Sequence, residues 1–392
     1  MSLAGVRPAL HDPDFYAGDP FPAYRWLRAE APVYWHDTPG FWAVTRHEDV
    51  IAVSRDPASF CSSQGTMLAD LTRPIMPRQS ILYIDPPDHV KYRKLVQPGF
   101  SPSRLKQLEP RVRQLACTLA ADIDTGTAVD FVDEFAARLP LLVIAEMLGV
   151  PASDRAQFQR WSDLIIEVTT EQTPENMAAS VELLGYFAAV IAERRTQPRD
   201  DLISTLVSAE VDGERLEEFD LLMFCMTLLV AGNETTRNLL SHGALALATH
   251  PAQRAALAAD PGHIPAAVEE MLRWGSPITS FMRTATRDTT LRGQRIGAGE
   301  RVLMLYAAAN RDEAVFGPDA EDFRVSRDAS RHLAFGFGEH FCLGAGLARM
   351  EARIAFEELL ARFATIDLAG PVERLRSVLM SGIVCLPLAF AR

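Results

Sequence analysis

The chain is poor in cysteine, and the spacing of its cysteines excludes two kinds of cross-linked protein. They are five in number, lie far apart and never form a Cys-x-x-Cys pair: Cys61, Cys117, Cys225, Cys342 and Cys385. Disulfide frameworks and zinc cages need grouped thiols at regular spacings. Each cysteine is therefore interpreted singly, and the default for each is a small buried side chain.

Long apolar runs are missing as well. The most apolar stretch, 221–232, is interrupted by Thr227, and it is shorter than the roughly 20 residues that cross a bilayer. The N-terminus lacks the charged segment and the following apolar segment of a secretory leader. We therefore expect no membrane anchor and a cytoplasmic protein.

The chain also has no surplus of positive charge. Lys and Arg number 39 against 51 Asp and Glu, which gives a formal net charge of −12. Such a chain is poorly suited to neutralising phosphates, so nucleic acid is not expected as a partner.

Glycine and proline, 23 and 25 of 392 residues, are at ordinary levels, and no long repeat occurs. Collagen-like, low-complexity and repeat proteins are thereby excluded.

Hydrophobic spacing predicts a mainly α protein with a smaller β-rich part, an α+β class. A chain of this length forms one large body or two subdomains that share a cleft. Helical spacing runs over about 89–275 and 343–363, and strand-like spacing over about 30–60, 281–305 and 377–391. The helical segments therefore form the body, and the strands lie towards the two ends of the chain.

Two segments give more detailed predictions. Residues 217–250 form the longest helical pattern, and the first half is apolar on nearly every face, which predicts a helix through the centre of the protein. Residues 32–46 alternate around a Pro-Gly turn and predict a hairpin, and 377–391 predicts a strand pair around Ser381-Gly382.

The segment 335–346, FGFGEHFCLGAG, carries the clearest chemical signal. It places Cys342 in a glycine-rich loop just before a predicted helix. Unpaired N–H groups at a helix start favour a thiolate, and a thiolate is a competent axial ligand for haem iron. A dinucleotide-binding loop is excluded, because Phe341 and Arg349 occupy the places where its third glycine would stand.

The pattern Phe335-x-x-Gly338-x-His340-x-Cys342-x-Gly344 resembles the haem-binding loop of the cytochrome P450 superfamily. The resemblance covers nearly the whole chain and implies a single P450 domain over 1–392 with a long central helix above haem b. It implies that Cys342 binds the iron, with Phe335, Gly336 and Gly344 beside the haem. His340 stands where many relatives carry Arg, which weakens the charge there and keeps a donor.

A second motif, Ala231-Gly232-Asn233-Glu234-Thr235-Thr236, resembles the family's oxygen-activating segment. The resemblance implies that Glu234 and Thr235 relay protons to bound dioxygen, while the small Ala231 leaves room beside the haem. A carboxylate in this apolar run must be hydrogen-bonded, hydrated or protonated. The alternative is a Glu that reaches solvent and a Thr that bonds the carbonyl of the preceding turn.

The resemblance also implies residues around the haem. The haem propionates would contact His89, Arg93, Arg283 and His340, although each of these taken singly also fits a solvated surface residue. Glu270 and Arg273 share one helix face. In the family this pair is buried with a further arginine, for which Arg327 fits, so these three residues are interpreted as structural.

The implied activity is an O2-dependent haem-thiolate monooxygenase that hydroxylates an apolar small molecule such as an isoprenoid, steroid or fatty acid. Its electrons would come from a ferredoxin and an NAD(P)H-dependent ferredoxin reductase. We expect loops 61–82, 278–282 and 381–383 over the haem, and a substrate lining that comprises Val230, Ala231, Ile278, Thr279, Phe281 and Ile383. The substrate and the position oxidised stay open.

Cations between 89 and 113 predict a docking face for an acidic ferredoxin: Lys91, Arg93, Lys94, Arg104, Lys106, Arg111 and Arg113, with Glu109 as the acid among them. A solvated helix face is the alternative.

Two other functions also stay open, a peroxygenase driven by H2O2 and a non-catalytic haem carrier or gas sensor. The acid–alcohol pair argues against the first, since peroxygenases of the family typically carry Arg-Pro in its place.

Overall fold

Helices predominate in the structure, a computed structural model that describes residues 7–73, 75, 80–167 and 173–392. In chain order they are α1 Pro13–Ala17, α2 Phe21–Glu30, α3 His47–Arg55, α4 Asp88–Val96, α5 Pro102–Asp122, α6 Arg138–Leu148, α7 Arg155–Glu167, α8 Pro174–Thr196, α9 Leu202–Ser208, α10 Glu218–Thr249, α11 Pro251–Ala259, α12 Ile264–Gly275, α13 Tyr306–Ala309, α14 Glu313–Phe316 and α15 Ala345–Arg362. A π-helical turn, Val132–Ala136, precedes α6.

The strands are short. They are β1 Val33–His36, β2 Phe41–Val44, β3 Phe60–Cys61, β4 Val129–Asp130, β5 Glu210–Val211, β6 Glu214–Arg215, β7 Ser280–Ala285, β8 Thr289–Leu291, β9 Gln294–Ile296, β10 Arg301–Leu305, β11 Thr365–Leu368, β12 Glu373–Arg374, β13 Ile383–Cys385 and β14 Pro387–Ala391. The largest sheet has the order β1-β2-β10-β7-β3, and a three-stranded sheet has the order β11-β14-β4. The predicted class, mainly α with a smaller β part, is confirmed.

Helix α10 runs through the helical core, within one residue of the predicted bounds at each end. It packs against α6, α12 and α15. The apolar sequence of the first half predicted that this half would be the buried one, but the second half is more enclosed. Every residue of 238–247 is buried, whereas many positions of the first half are only partly buried. Small residues such as Gly243 and Ala244 make this close packing possible: a Cβ on Gly243 would lie 2.4 Å from Phe356.

Two details of the predicted fold are wrong. The strand that precedes Ser381-Gly382 is β12, which pairs with β13, and residues 377–379 form no strand. Strand β14 instead pairs with β11 and β4, and β4 precedes it by more than 250 residues. The helical part also begins earlier than predicted, since α1, α2 and α3 precede residue 89.

In the described part of the chain, no helix is long and apolar enough to cross a membrane.

Candidate active site

The loop before α15 holds Cys342 in a defined position. The Cys342 N–H donates to the Phe335 carbonyl oxygen at 2.9 Å, which closes the loop across seven residues. Gly336 and Gly338 have φ angles of +70° and +74°, a left-handed conformation that favours glycine. A Cβ on Gly338 would also lie 2.5 Å from the Ser54 carbonyl oxygen of α3. Gly338 is therefore required for packing against α3.

The Cys342 thiol lies in an enclosed setting. Its side chain is accessible, yet burial among protein atoms raises the pKa of the thiol, and this exceeds the opposing effects of the Gly344 and Ala345 N–H groups, Arg93 and Arg349. The helix start thus favours the thiolate, as predicted, but burial outweighs it in the metal-free protein. A bound cation would deprotonate the sulfur directly.

Four predicted propionate contacts come together beside this loop. The His89 and His340 rings lie 4.1 Å apart, and Arg93 Nη1 donates to the Glu339 carbonyl oxygen at 3.2 Å. Burial, together with the charges of His340, Arg93 and Arg283, lowers the pKa of His89 to about 4, and Glu339 opposes the shift. These four side chains, which span 89–340 in the chain, therefore form one basic cluster.

Two residues that the sequence did not indicate orient this cluster. Ser62 Oγ lies 3.1 Å from Nε2 of His340, and the Ser62 N–H donates to Asp85 Oδ1 at 2.7 Å. The hydroxyl and His340 are 278 residues apart, so no local pattern connects them. Asp85 lies just before the helix that carries His89 and therefore ties both sides of the cluster together.

The acid and the alcohol of α10 have different surroundings. Glu234 is only 2 % exposed, and its Oε1 accepts a hydrogen bond from Arg237 Nη1 at 2.8 Å. Burial raises the pKa of Glu234, although Arg237 opposes the shift. Thr235 Oγ1 donates to the Ala231 carbonyl oxygen at 2.7 Å. Thr235 thus follows the alternative stated for it, whereas Glu234 does not reach solvent.

One face of α10 is left uncovered at this point. Ala231 is exposed and Thr235 partly exposed, one turn apart, while Asn233 and Glu234 are buried. Residues at i and i+4 lie on the same face of a helix. Asn233 anchors the opposite side through a bond from Nδ2 to Ser162 Oγ at 3.2 Å. The open face can therefore accept a ligand beside Thr235.

The three residues interpreted as structural form one buried network. Arg273 donates to both carboxylate oxygens of Glu270, at 2.6 and 2.8 Å, and Arg327 Nε donates to Glu270 at 3.3 Å. Glu270 and Arg273 have no exposed surface. Arg273 also donates to the carbonyl oxygens of Asn310, Ala320 and Asp322. The network joins α12 to the chain between α13 and the Cys342 loop.

The comparisons with known proteins agree with this geometry. A family model described as Cytochrome P450 matches residues 263–386. The chain is 40% identical over 400 residues to a vitamin D(3) 25-hydroxylase of Pseudonocardia autotrophica, and the match covers 99% of this chain and 98% of that protein. The chain belongs to the cytochrome P450 superfamily.

Further relatives of this P450 include a steroid monooxygenase and a protein solved with a bound steroid. It is 39% identical over 387 residues to a steroid C26-monooxygenase of Mycolicibacterium smegmatis, which covers 96% of this chain and 94% of that protein. The structure of CYP109E1 from Bacillus megaterium in complex with testosterone has a TM-score of 0.87 and 35% identity, over 95% of this chain and 99% of that one. The protein is accordingly a P450 monooxygenase whose cofactor is haem b.

The residues present fit haem. His89 is 1 % exposed, and neither of its ring nitrogens has a hydrogen-bond partner among the described residues, although buried polar atoms normally have one. A haem propionate beside His89, His340 and the two arginines would supply it. Cys342 carries the sulfur that such a haem needs, and Ala231 leaves the facing helix open.

The three segments predicted to cover the haem meet through main-chain bonds. Met282 N–H donates to the Thr66 carbonyl oxygen at 2.7 Å, and Thr279 N–H donates to that of Leu379 at 2.8 Å. Ile278 forms a bridge with Met380. Residues 74 and 76–79 of the first segment lie outside the described residues. Ile278 and Phe281 pack with the large sheet, whereas Val230 and Ile383 pack in the helical core.

Proposed function

We propose that this P450 uses O2 and two electrons from a ferredoxin and an NAD(P)H-dependent ferredoxin reductase to hydroxylate an apolar small molecule. Haem supplies the oxygen chemistry when it is bound. The observation that carries the proposal is the acid–alcohol pair of α10, whose alcohol lies on an uncovered helix face and whose acid is the next, buried residue, in a chain that also holds an accessible cysteine. Cys342 would hold the iron, and His89, Arg93, Arg283 and His340 would hold the propionates.

The chain's own residues can hold and move a proton at this face. Burial makes Glu234 easier to protonate than a free Glu, and Arg237 keeps its carboxylate in place. Thr235 Oγ1 donates to Ala231, so its lone pairs are available to accept a second hydrogen bond from a ligand. We infer that Glu234 delivers protons inwards and that the Thr235 hydroxyl accepts a hydrogen bond at the open face, where it would orient the group that receives them.

Thr235→Ala tests this role. We expect the consumption of NAD(P)H to continue while product formation falls by about tenfold or more, because protons are no longer directed and electrons are lost as peroxide. Thr249→Ala is the matched control, since Thr249 Oγ1 bonds the Leu245 carbonyl oxygen at 2.7 Å at the far end of the same helix. Product and peroxide are measured per NAD(P)H consumed. Fully coupled turnover by Thr235→Ala would remove Thr235 from the proposal.

The substrate class is proposed from the lining and from the relatives. The predicted lining residues are mostly apolar, with Thr279 as the polar side chain among them, so few groups would fix a charged substrate. The relatives include a vitamin D(3) hydroxylase, a steroid C26-monooxygenase and a methyl-branched lipid omega-hydroxylase. We therefore propose a steroid, an isoprenoid or a branched fatty acid as substrate.

An optical titration tests the substrate class. Steroids, terpenoids and fatty acids are added to the ferric protein, and conversion from low to high spin reports that a ligand has displaced water from the iron. We expect saturable conversion with at least one polycyclic or branched compound, and product formation from that compound with surrogate redox partners. Ile278→Trp, which replaces a predicted lining side chain with a larger one and leaves less room for the ligand, should weaken the binding of that compound. No spectral change with any class would count against an apolar substrate.

The predicted ferredoxin face carries less unpaired positive charge than its sequence indicates. Four of its cations are paired with acids from other elements: Lys91 with Glu214, Arg104 with Asp200, Arg111 with Glu146 and Arg113 with Glu357 and Glu358. Arg93 contacts the Cys342 loop. Within the described chain, Lys94 and Lys106 are the remaining cations of this set, and neither forms an ion pair. We therefore assign the attraction of an acidic partner to these two lysines.

Lys94→Glu combined with Lys106→Glu should slow ferredoxin association severalfold at low salt, and the difference should shrink as salt screens the charges. Arg104→Glu combined with Arg111→Glu is the comparison, because those cations are already paired. The chain has three lysines, all between 91 and 106, so carbodiimide coupling to ferredoxin carboxylates reports on this face alone apart from the terminal amine. Equal association rates for both double variants would contradict the assignment.

A peroxygenase is the alternative activity. Vigorous product formation from H2O2 alone, with no gain from ferredoxin, would favour it over the O2 route.

We further propose one domain over residues 1–392, because the helical core cluster joins residues from Ile84 to Phe390. The cytoplasm is the proposed compartment, since nicotinamide-dependent electron donors are intracellular and all five cysteines are free thiols.

A further inference from the structure

Glu269, the residue before the buried Glu270, anchors a second network that touches the Cys342 loop. Arg349 of α15 donates to both Glu269 oxygens, Nε to Oε1 at 2.7 Å and Nη2 to Oε2 at 2.8 Å. His332 Nε2 lies 3.1 Å from Oε2. Burial alone would raise the pKa of Glu269, but the bonds from His332 and Arg349 lower it to about 2. The carboxylate is therefore fully ionised and makes three hydrogen bonds.

The histidine of this network has a defined tautomer. The Ala334 N–H donates to His332 Nδ1 at 3.1 Å, so Nδ1 is an acceptor and Nε2 carries the proton. Nε2–H then donates to Glu269. His332 is buried, and the ring thus connects the carboxylate on α12 to the main chain just before Phe335.

Both arms of the network converge on Phe335. The Arg349 guanidinium lies 4.6 Å from the centre of the Phe335 ring, a cation–π distance, and the His332 ring lies 5.6 Å from the same ring. The Phe335 carbonyl oxygen in turn accepts the Cys342 N–H at 2.9 Å. A displacement of Phe335 would therefore displace the cysteine.

We propose that Glu269 is a positioning residue for the cysteine ligand. By holding both Arg349 and His332 against Phe335, it fixes the carbonyl that orients Cys342. It also keeps the Arg349 charge, which acts on the Cys342 sulfur, at one place. The proposal rests on Cys342 as the iron ligand, and it assigns to α12 a connection to that ligand separate from Glu270 and Arg273.

Glu269→Gln tests the proposal in the haem-loaded protein. The reduced protein is mixed with carbon monoxide, and the loss of the red-shifted, thiolate-specific Soret band is followed in moderate urea. Charge-assisted bonds to Glu269 are lost in the variant, so we expect this band to disappear roughly tenfold faster than in the unmodified protein. The reduction potential of the iron should shift as well.

Glu109→Gln is the matched control. Glu109 pairs with Arg353, one turn after Arg349 on α15, at 2.6 Å, so the control also removes a carboxylate partner from an arginine of this helix. We expect its band to decay within about twofold of the unmodified rate, because this partly exposed pair contributes little and does not contact Phe335. Arg349→Lys keeps the positive charge but loses the bidentate hydrogen bonds to Glu269. Its Soret band should therefore also decay faster than that of the unmodified protein, as in Glu269→Gln.

The outcomes separate the proposal from its premise. If the unmodified protein lacks the red-shifted band, Cys342 is not the ligand. If that band is present and Glu269→Gln and Arg349→Lys both decay like Glu109→Gln with an unchanged reduction potential, Glu269 has no positioning role. A loss of thermal stability by Glu269→Gln without any spectral change would also overturn the proposal. If Glu269→Gln does not fold, Arg349→Lys decides alone.

Discussion

Cys342→Ala is expected to abolish both the thiolate-specific spectrum and all monooxygenase activity. None of the other four cysteines stands in the loop before α15, so none is expected to replace the lost sulfur: Cys61 on β3 and Cys225 on α10 are buried, Cys117 lies on the surface of α5, and Cys385 on β13 is partly exposed. The measurement is the difference spectrum of the dithionite-reduced protein with carbon monoxide. The red-shifted Soret band should be missing at every protein concentration, since electron donation from the thiolate causes it.

The control for this variant is Cys117→Ala. Cys117 is exposed, so its removal should leave the band, haem content and turnover unchanged. Haem content of Cys342→Ala is measured in parallel, since the propionate contacts can retain some haem without the thiolate. A red-shifted band of normal intensity in Cys342→Ala would refute Cys342 as the ligand and, with it, the haem-thiolate chemistry proposed for this chain.

Arg273→Ala is the second substitution with a large expected effect. It leaves the fully buried Glu270 carboxylate with Arg327 as its main cation and removes a donor from the carbonyl oxygens of Asn310, Ala320 and Asp322. Removal of one partner of a buried pair typically costs about 3–5 kcal/mol. We expect the free energy of unfolding to fall by about this amount, as measured by urea denaturation, with low yields of folded holoprotein.

Arg138→Ala serves as the reference for an exposed pair. Arg138 bonds Glu134 one turn earlier at 3.3 Å, and both side chains are more than 40% exposed. Such pairs contribute about 0–1 kcal/mol, so the two arginine variants should differ severalfold in their effect on unfolding. Similar losses for both variants would mean that the Glu270 network does not stabilise the fold.

The local patterns of the sequence predicted the parts of the site that are built from neighbouring residues. The loop 335–346 and the segment 231–236 each hold their candidate residues within twelve positions, so these motifs and their resemblance to the family led to the prediction of Cys342, Glu234 and Thr235. The extent of α10 followed from its apolar run. The more enclosed half could not be predicted, because it depends on partners such as Phe356 that close around Gly243.

Contacts between distant residues escaped prediction for a physical reason. Ser62 reaches His340, and Glu269 reaches Arg349, only after the chain has folded, and neither residue has a distinctive neighbour in sequence. The basic stretch 89–113 illustrates the same limit. Its charges were counted correctly, yet the acids that neutralise most of them come from other helices and from β6.

The segments predicted to cover the haem are connected by main-chain hydrogen bonds. Met282 bonds Thr66, Thr279 bonds Leu379, and Ser381 N–H donates to the Pro277 carbonyl oxygen at 3.0 Å. None of these bonds uses a side chain, so Ile278 or Phe281 can be exchanged for residues of another size while the segments keep their path. Single substitutions can then create a new preference among bulky hydrocarbons without a redesigned frame, and that makes the scaffold readily evolvable.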